Sequence, residues 1–98
     1  FAFKGYFPRE KSKRERMFRE IKDGLQRRKE TAIFMEPPYR NDNAFSDVLQ
    51  MMPGDTTLCL AVDLTLPTEW IRSMTISDWA KAPQPALHKR PCLFLLGH

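Results

Sequence analysis

Glycine, histidine and cysteine are scarce in this 98-residue chain, and so are long apolar runs. There are four glycines, and none stands in a phosphate-cradling loop, which argues against a self-contained enzyme. No nucleophile elbow and no Ser/His/Asp set is present, so no catalytic constellation is complete and no catalytic residue is assigned. His88 and His98 have no partners at metal-ligand spacing, and no metal site is expected. Cys59 and Cys92 each sit inside an apolar run and read as buried free thiols in a reducing compartment. No stretch approaches the roughly 18 apolar residues of a membrane span, and no charged-then-apolar leader opens the chain. The expectation is a soluble, unsecreted, cytoplasmic protein without a membrane partner. Phe1 is not an initiator methionine, and F-A-F-K-G-Y reads at once as strand, so a single domain cut from a longer protein is expected.

What is present is unevenly distributed charge. Between Arg9 and Lys29 ten basic residues stand against four acids, a local excess of +6 in a chain whose net charge is +4, so the rest sums to −2. Such asymmetry points towards a polyanion such as nucleic acid. A solvated helix with i,i+4 pairs such as Glu15 with Arg19 has the same composition, and both readings stay open.

Hydrophobic patterning gives an element order of β-α-β-α-β-β-α-β, an α/β domain with a mixed five-stranded sheet and flanking helices. Residues 1–6 alternate as a first strand, with Gly5 allowing a bulge. Met17, Phe18, Ile21 and Leu25 recur at helical spacing within an amphipathic helix over 10–28. Thr31 to Met35 is suited to a strand buried on both faces, and Glu36, Pro37 and Pro38 stop it abruptly. Arg40, Asn41, Asp42 and Asn43 then offer caps for a helix over 43–52. Residues 56–64 read as a central strand apolar on both faces except for Asp63, and 69–75 as a further strand. A short helix over 77–81 begins with Ser77 as a candidate cap, and 92–96 is a continuously apolar, buried strand. In open α/β sheets ligands collect at the carboxyl ends of strands, so Glu36, Asp63-Leu64-Thr65 and the backbone near Pro91 are candidates for one shared rim. A Pro-Pro turn with a solvated Glu36 is also ordinary in such domains.

The order F-x-F-x-G-Y-F-P-R, a basic helix, E-T-x-I-F-x-E-x-P-Y-R, L-C-L-A-V-D-L-T and P-C-L-F-L-L-G resembles the carboxyl-terminal domain of the tetrapyrrole-methylase superfamily. Within it the similarity is to the branch that methylates a cytidine ribose of small-subunit ribosomal RNA, whose stretches read roughly F-x-G-F-L-P-R-K, T-L-I-F-Y-E-S-P-H-R and A-R-E-L-T-K. The resemblance covers nearly the whole chain. It implies a two-domain methyltransferase with S-adenosylmethionine in the cleft between domains and its glycine-rich loops in an amino-terminal domain, so this part alone is expected to be inactive. It also implies that Phe34, Met35, Glu36, Ala61, Val62, Pro91, Cys92 and Leu93 touch the adenosine. On the RNA side it implies Pro8, Arg9, Lys11, Lys13, Arg14 and Arg16, with Tyr39 and Arg40 at the turn.

The chain departs from that branch where Tyr39 replaces its His, Val62-Asp63 its Arg-Glu pair and Leu66 its Lys. These changes leave the substrate open. The alternatives are a non-catalytic RNA-binding module without cofactor and a methyltransferase for a small tetrapyrrole-like substrate. Partners implied are RNA, the protein's own amino-terminal domain and a second copy, the homodimer burying Phe1, Phe3 and the strand-end rim.

Overall fold

A computed structural model describes residues 2–6, 8–36 and 40–97, leaving Pro37, Pro38 and Tyr39 of the expected turn outside the described residues. The expected order of elements is present: β1 (Ala2–Tyr6), α1 (Lys11–Arg28), β2 (Ala32–Met35), α2 (Asn41–Met51), β3 (Thr57–Val62), β4 (Trp70–Thr75), α3 (Ile76–Lys81) and β5 (Cys92–Gly97). The strands form one mixed sheet in the order β1-β2-β5-β3-β4, with β1 parallel to β2 and the other three pairings antiparallel.

Each helix forms for a local reason and turns its apolar stripe to the same layer. In α1, Met17, Phe18, Ile21 and Leu25 are buried at helical spacing, and the helix ends where Lys29 takes a left-handed φ of 51°. Among the described residues its ion pairs do not include the expected Glu15–Arg19. Arg27 pairs with Asp23 at 2.8 Å and Lys13 with Glu10 at 3.6 Å. Arg14 reaches across to Asp47 of α2. Two caps also differ from expectation. Thr75, not Ser77, caps α3, its Oγ1 accepting the Asp78 N–H at 3.2 Å, because β4 runs directly into the helix. At α2, Arg40 occupies the cap position without a side-chain cap bond, and Asn41 is drawn into the interior instead.

The apolar residues of all three helices join one core with strand residues such as Ala32, Phe34, Leu58, Leu60, Phe94 and Leu96. At its centre Phe34 and Phe94 stack with ring centroids 5.1 Å apart and 9° between planes. Trp79 closes one side, its Nε1–H donating to the Leu58 carbonyl at 2.8 Å while its ring meets Phe45 edge-on.

The strands expected to be buried on both faces are buried on one. β2 and β5 alternate between buried and half-buried positions, and β3 does so over its first half. Residues paired across strands share a face, so the register defines three rows on the side away from the helices, one of them the short row of Gly97, Thr57 and Thr75. Phe3, Ile33, Leu95, Cys59 and Ser73 form a second, and Tyr6, Met35, Leu93, Ala61 and Ile71 the third. Phe3 and Tyr6 are three residues apart yet lie on the same face because the register shifts between Phe3 and Gly5, where Gly5 has a φ of 74°.

Candidate functional site

β1, β2 and β3 all run the same way and β5 runs against them, so three carboxyl ends and one amino end meet along a single edge. This brings Tyr6, Glu36, Leu64 and Pro91 together around a cavity of about 230 Å3, also lined by Met35, Ala61, Cys92 and Leu93. Of the eight residues expected at the adenosine, Met35, Glu36, Ala61, Pro91, Cys92 and Leu93 line this cavity. Phe34 and Val62 do not. Both are fully buried in the helix-facing core, where strand alternation sends them. Leu64 lines the cavity as a member of the expected strand-end rim, whereas Tyr6 was not anticipated; its signal was position, next to a strand end.

Apart from Tyr6, Cys92 and the carboxyl group of Glu36, the cavity is lined by apolar side chains. Glu36 is buried and lies 3.5 Å from Arg40 Nε. Burial pushes the Cys92 thiol up to about 12, an effect only partly opposed by the nearby Arg90, so the sulfur stays protonated at neutral pH. Burial raises the Cys59 thiol as well.

Behind the cavity stands a polar latch. Arg90 donates from Nε to Asp63 Oδ2 at 2.8 Å, from Nη1 to the Ala86 carbonyl at 2.8 Å and from Nη2 to the Thr68 carbonyl at 3.1 Å. The Thr68 hydroxyl donates to the same Asp63 oxygen at 2.8 Å, and the Asp63 N–H donates to the Pro91 carbonyl at 2.9 Å. Asp63 and Thr65 both hold left-handed φ values, 53° and 68°, which presents Leu64 to the cavity from a strained turn. Asn41 ties in the third side, its Nδ2 donating to the carbonyls of Leu87 at 3.0 Å and Arg90 at 2.6 Å. The hydrogen bonds of Arg90, then of Thr68, hold the Asp63 carboxyl below its ordinary value, so it is an anion committed to structure.

This has a consequence in acid. A carboxyl depressed in the folded state contributes stability above its unfolded pKa of about 3.9, and that contribution is lost as pH falls through the lower folded value. Asp63→Asn, which also tolerates a left-handed φ, is therefore expected to be less stable than wild type at neutral pH. The gap should close in strong acid. Thermal unfolding of both proteins from pH 7 downwards measures it, and a pH-independent gap would contradict the assignment.

The residues expected on the RNA side divide into two groups. Arg9, Lys11, Lys13 and Arg16 are exposed at the start of α1. Pro8, Arg14 and Arg40 surround a small crevice that also contains Glu36 and Asp47, so both arginines face carboxylates. Tyr39 lies outside the described residues. No acid occupies the first turn of α1, so Lys11, Lys13 and Arg14 add to the positive end of the helix dipole. Among the described residues no group of His, Cys, Asp and Glu is placed to hold a metal ion, and no helix is long and apolar enough to cross a membrane.

The whole chain superposes on part of a solved enzyme. It is similar in fold to the methyltransferase CobJ. The match covers 100% of this chain and 41% of that one, with a TM-score of 0.59 and 13% identity. The chain thus spans about two fifths of that structure's length. Uroporphyrin-III-C-methyltransferase from Thermus thermophilus matches over 68% of this chain and 30% of its own, at a TM-score of 0.46 and 22% identity. No family model matches, and no curated sequence does. What is shared is the fold, a five-stranded mixed sheet with helices in this order.

Proposed function

We propose that this chain is the cofactor-sharing, substrate-facing half of an S-adenosylmethionine-dependent methyltransferase, the other half being an amino-terminal domain. One observation carries the reading: Met35, Glu36, Ala61, Pro91, Cys92 and Leu93 surround one cavity, in a fold similar to that of a methyltransferase. The residues fit the nucleoside portion of the cofactor. Apolar walls from Met35, Leu64 and Leu93 suit a purine, and a carboxylate at the edge, Glu36, suits ribose hydroxyls and repels the methionine carboxylate. A volume of about 230 Å3 is below the roughly 300–1,000 Å3 of a complete ligand site, as expected of half a cleft.

The cofactor supplies an electrophilic methyl group to a nucleophile on the substrate. This chain's contribution is to position and desolvate rather than to exchange protons: the Cys92 thiol is neutral, and the Asp63 carboxylate is held by Arg90 and Thr68.

For the substrate, the exposed Lys11, Arg16 and Arg19 on α1 support RNA, and the resemblance specifies ribose 2'-O-methylation of ribosomal RNA. A small tetrapyrrole-like substrate is favoured by the engagement of Arg14 and Arg40 with carboxylates, which withdraws two expected phosphate contacts.

Calorimetric titration of S-adenosylmethionine into the full-length protein and into this chain separately tests the core of the proposal. Binding to the full-length protein alone is expected. Absence of binding to either would leave a cofactor-free RNA-binding module. With Lys11, Arg16 and Arg19 reversed to Glu, RNA binding should weaken and its logarithmic salt slope should fall by about 2–3. RNA binding unaffected by these changes would move the substrate to the small-molecule class.

A further inference from the structure

We infer that a second ligand site lies on the helix side of the sheet, apart from the strand-end cavity, and that it takes a small organic cation of the alkylated-ammonium class. It is a cleft of about 500 Å3 lined by Thr68, Glu69, Trp70, Pro85, Ala86 and Arg90. That volume falls within the roughly 300–1,000 Å3 of a complete small-molecule site, which the strand-end cavity at about 230 Å3 does not reach. The two share no lining residue. Register separates them as well. Trp70 pairs with Val62 of the helix-facing core and meets Trp79 of α3 with ring centroids 6.2 Å apart, whereas Ala61 and Leu93 of the strand-end cavity face the other way.

The walls are held before any ligand arrives. Arg90 clamps the two sides together, donating to the carbonyls of Thr68 and Ala86 and to the Asp63 carboxylate. A turn closes each side, the Glu69 N–H donating to the Leu66 carbonyl and the Arg90 N–H to that of Leu87. Such preorganisation lowers the ordering cost of binding. The same bonds decide the chemistry of the occupant. The carbonyls of Thr68 and Ala86 already receive Arg90, and the Thr68 hydroxyl gives its proton to Asp63, so a ligand that needs several hydrogen-bond partners finds few. The positive charge of Arg90 is matched by Asp63. What is left for a ligand is one negative charge and one indole. Glu69 forms no ion pair among the described residues, and its Oε1 accepts the Thr65 N–H at 2.9 Å, which fixes the carboxylate beside Trp70. An indole face and a carboxylate both attract a cation. A bare ammonium would give up hydration that these walls cannot replace, whereas an alkylated one has little to give up and packs its alkyl groups on Trp70, Pro85 and Ala86.

Titration of choline into the intact protein without S-adenosylmethionine, followed by two-dimensional NMR, tests it. Shifts are expected at the Trp70 indole N–H and at the backbone amides of Thr68, Glu69 and Ala86. The uncharged isostere of choline, with a tert-butyl group in place of the trimethylammonium, should bind at least about 5-fold more weakly. Glu69→Gln should weaken choline binding by a similar factor, because its amide oxygen can still accept the Thr65 N–H while the charge is gone. Choline that leaves these signals unmoved, that binds no better than its uncharged isostere, or that binds Glu69→Gln as tightly as wild type overturns the proposal. The indole signal is read in wild type, so the test holds even where a variant loses stability. Vesicles of pure phosphatidylcholine identify the source of the cation. Cosedimentation that Glu69→Gln abolishes assigns a lipid head group, and choline binding without cosedimentation assigns a free solute. Cofactor titration reads the methyltransferase proposal separately, so either can fail alone.

Discussion

Phe94→Ala is expected to lower folding stability by about 3–5 kcal/mol. Phe94 lies on β5, the middle strand of the sheet, with no exposed surface, its ring stacked on Phe34 and its backbone paired to β2 and β3. A strand held on both sides cannot move inward to fill the space left by a phenyl ring, so the cavity term adds to the lost transfer free energy. For a domain of this length the total stability is on the order of 5–15 kcal/mol, so the variant approaches the unfolding threshold. Phe94→Leu, which keeps most of the volume, should cost distinctly less. Urea titration reads both as shifts in midpoint at unchanged slope. An alanine variant with the wild-type midpoint would mean that the stacked pair is not packed as described.

Asn41→Asp should be the most damaging near-isosteric change in the chain. Local rules predict the opposite: an acid in the first turn of α2 interacts favourably with the helix dipole, by about 0.3–1 kcal/mol. Tertiary structure reverses the sign. Asn41 has no exposed surface, and its amide donates to two carbonyls, of Leu87 and Arg90, while its own buried Oδ1 meets no donor among the described residues. Aspartate would set an anionic oxygen against both carbonyls, losing two hydrogen bonds and desolvating a charge, together more than about 3 kcal/mol. Asn41→Ala, which loses the bonds without adding charge, should cost about 1–3 kcal/mol. The penalty in the aspartate variant should ease in acid. Its carboxyl is pushed above the unfolded value, so relative stability is recovered below about pH 4 and lost as pH rises through the raised folded value. Chemical denaturation of both variants at neutral and acidic pH measures this, and an aspartate variant no worse than the alanine at neutral pH would contradict the geometry.

Both predictions show where residue patterns stop being informative. Asn41 reads as a helix cap in sequence because Asn, Asp and Ser satisfy free amides at helix starts. Nothing local reveals that the carbonyls of Leu87 and Arg90 will arrive from 46 and 49 residues away and claim its amide. The same holds for Ser77 and Thr75: both are good caps, and the choice between them rests on β4 continuing unbroken into α3. Arg90 sits in a basic stretch between Pro85 and Pro91 that carries no periodicity, so its three hydrogen bonds to Asp63, Thr68 and Ala86 had no signal in the chain.

The sequence by itself determined the eight elements and their order, because periodicity, proline positions and apolar runs are local properties that each segment carries whatever its neighbours do. It also determined that a carboxylate would stand at the end of β2 and another at the end of β3. Tertiary structure alone decided that β5 inserts between β2 and β3, and this single choice of pairing brings Glu36, Leu64 and Pro91 to one edge. It decided too which side of the sheet the helices cover. Apolar residues on both faces of a strand demand two coverings, and only the packed chain shows that its own helices provide one of them.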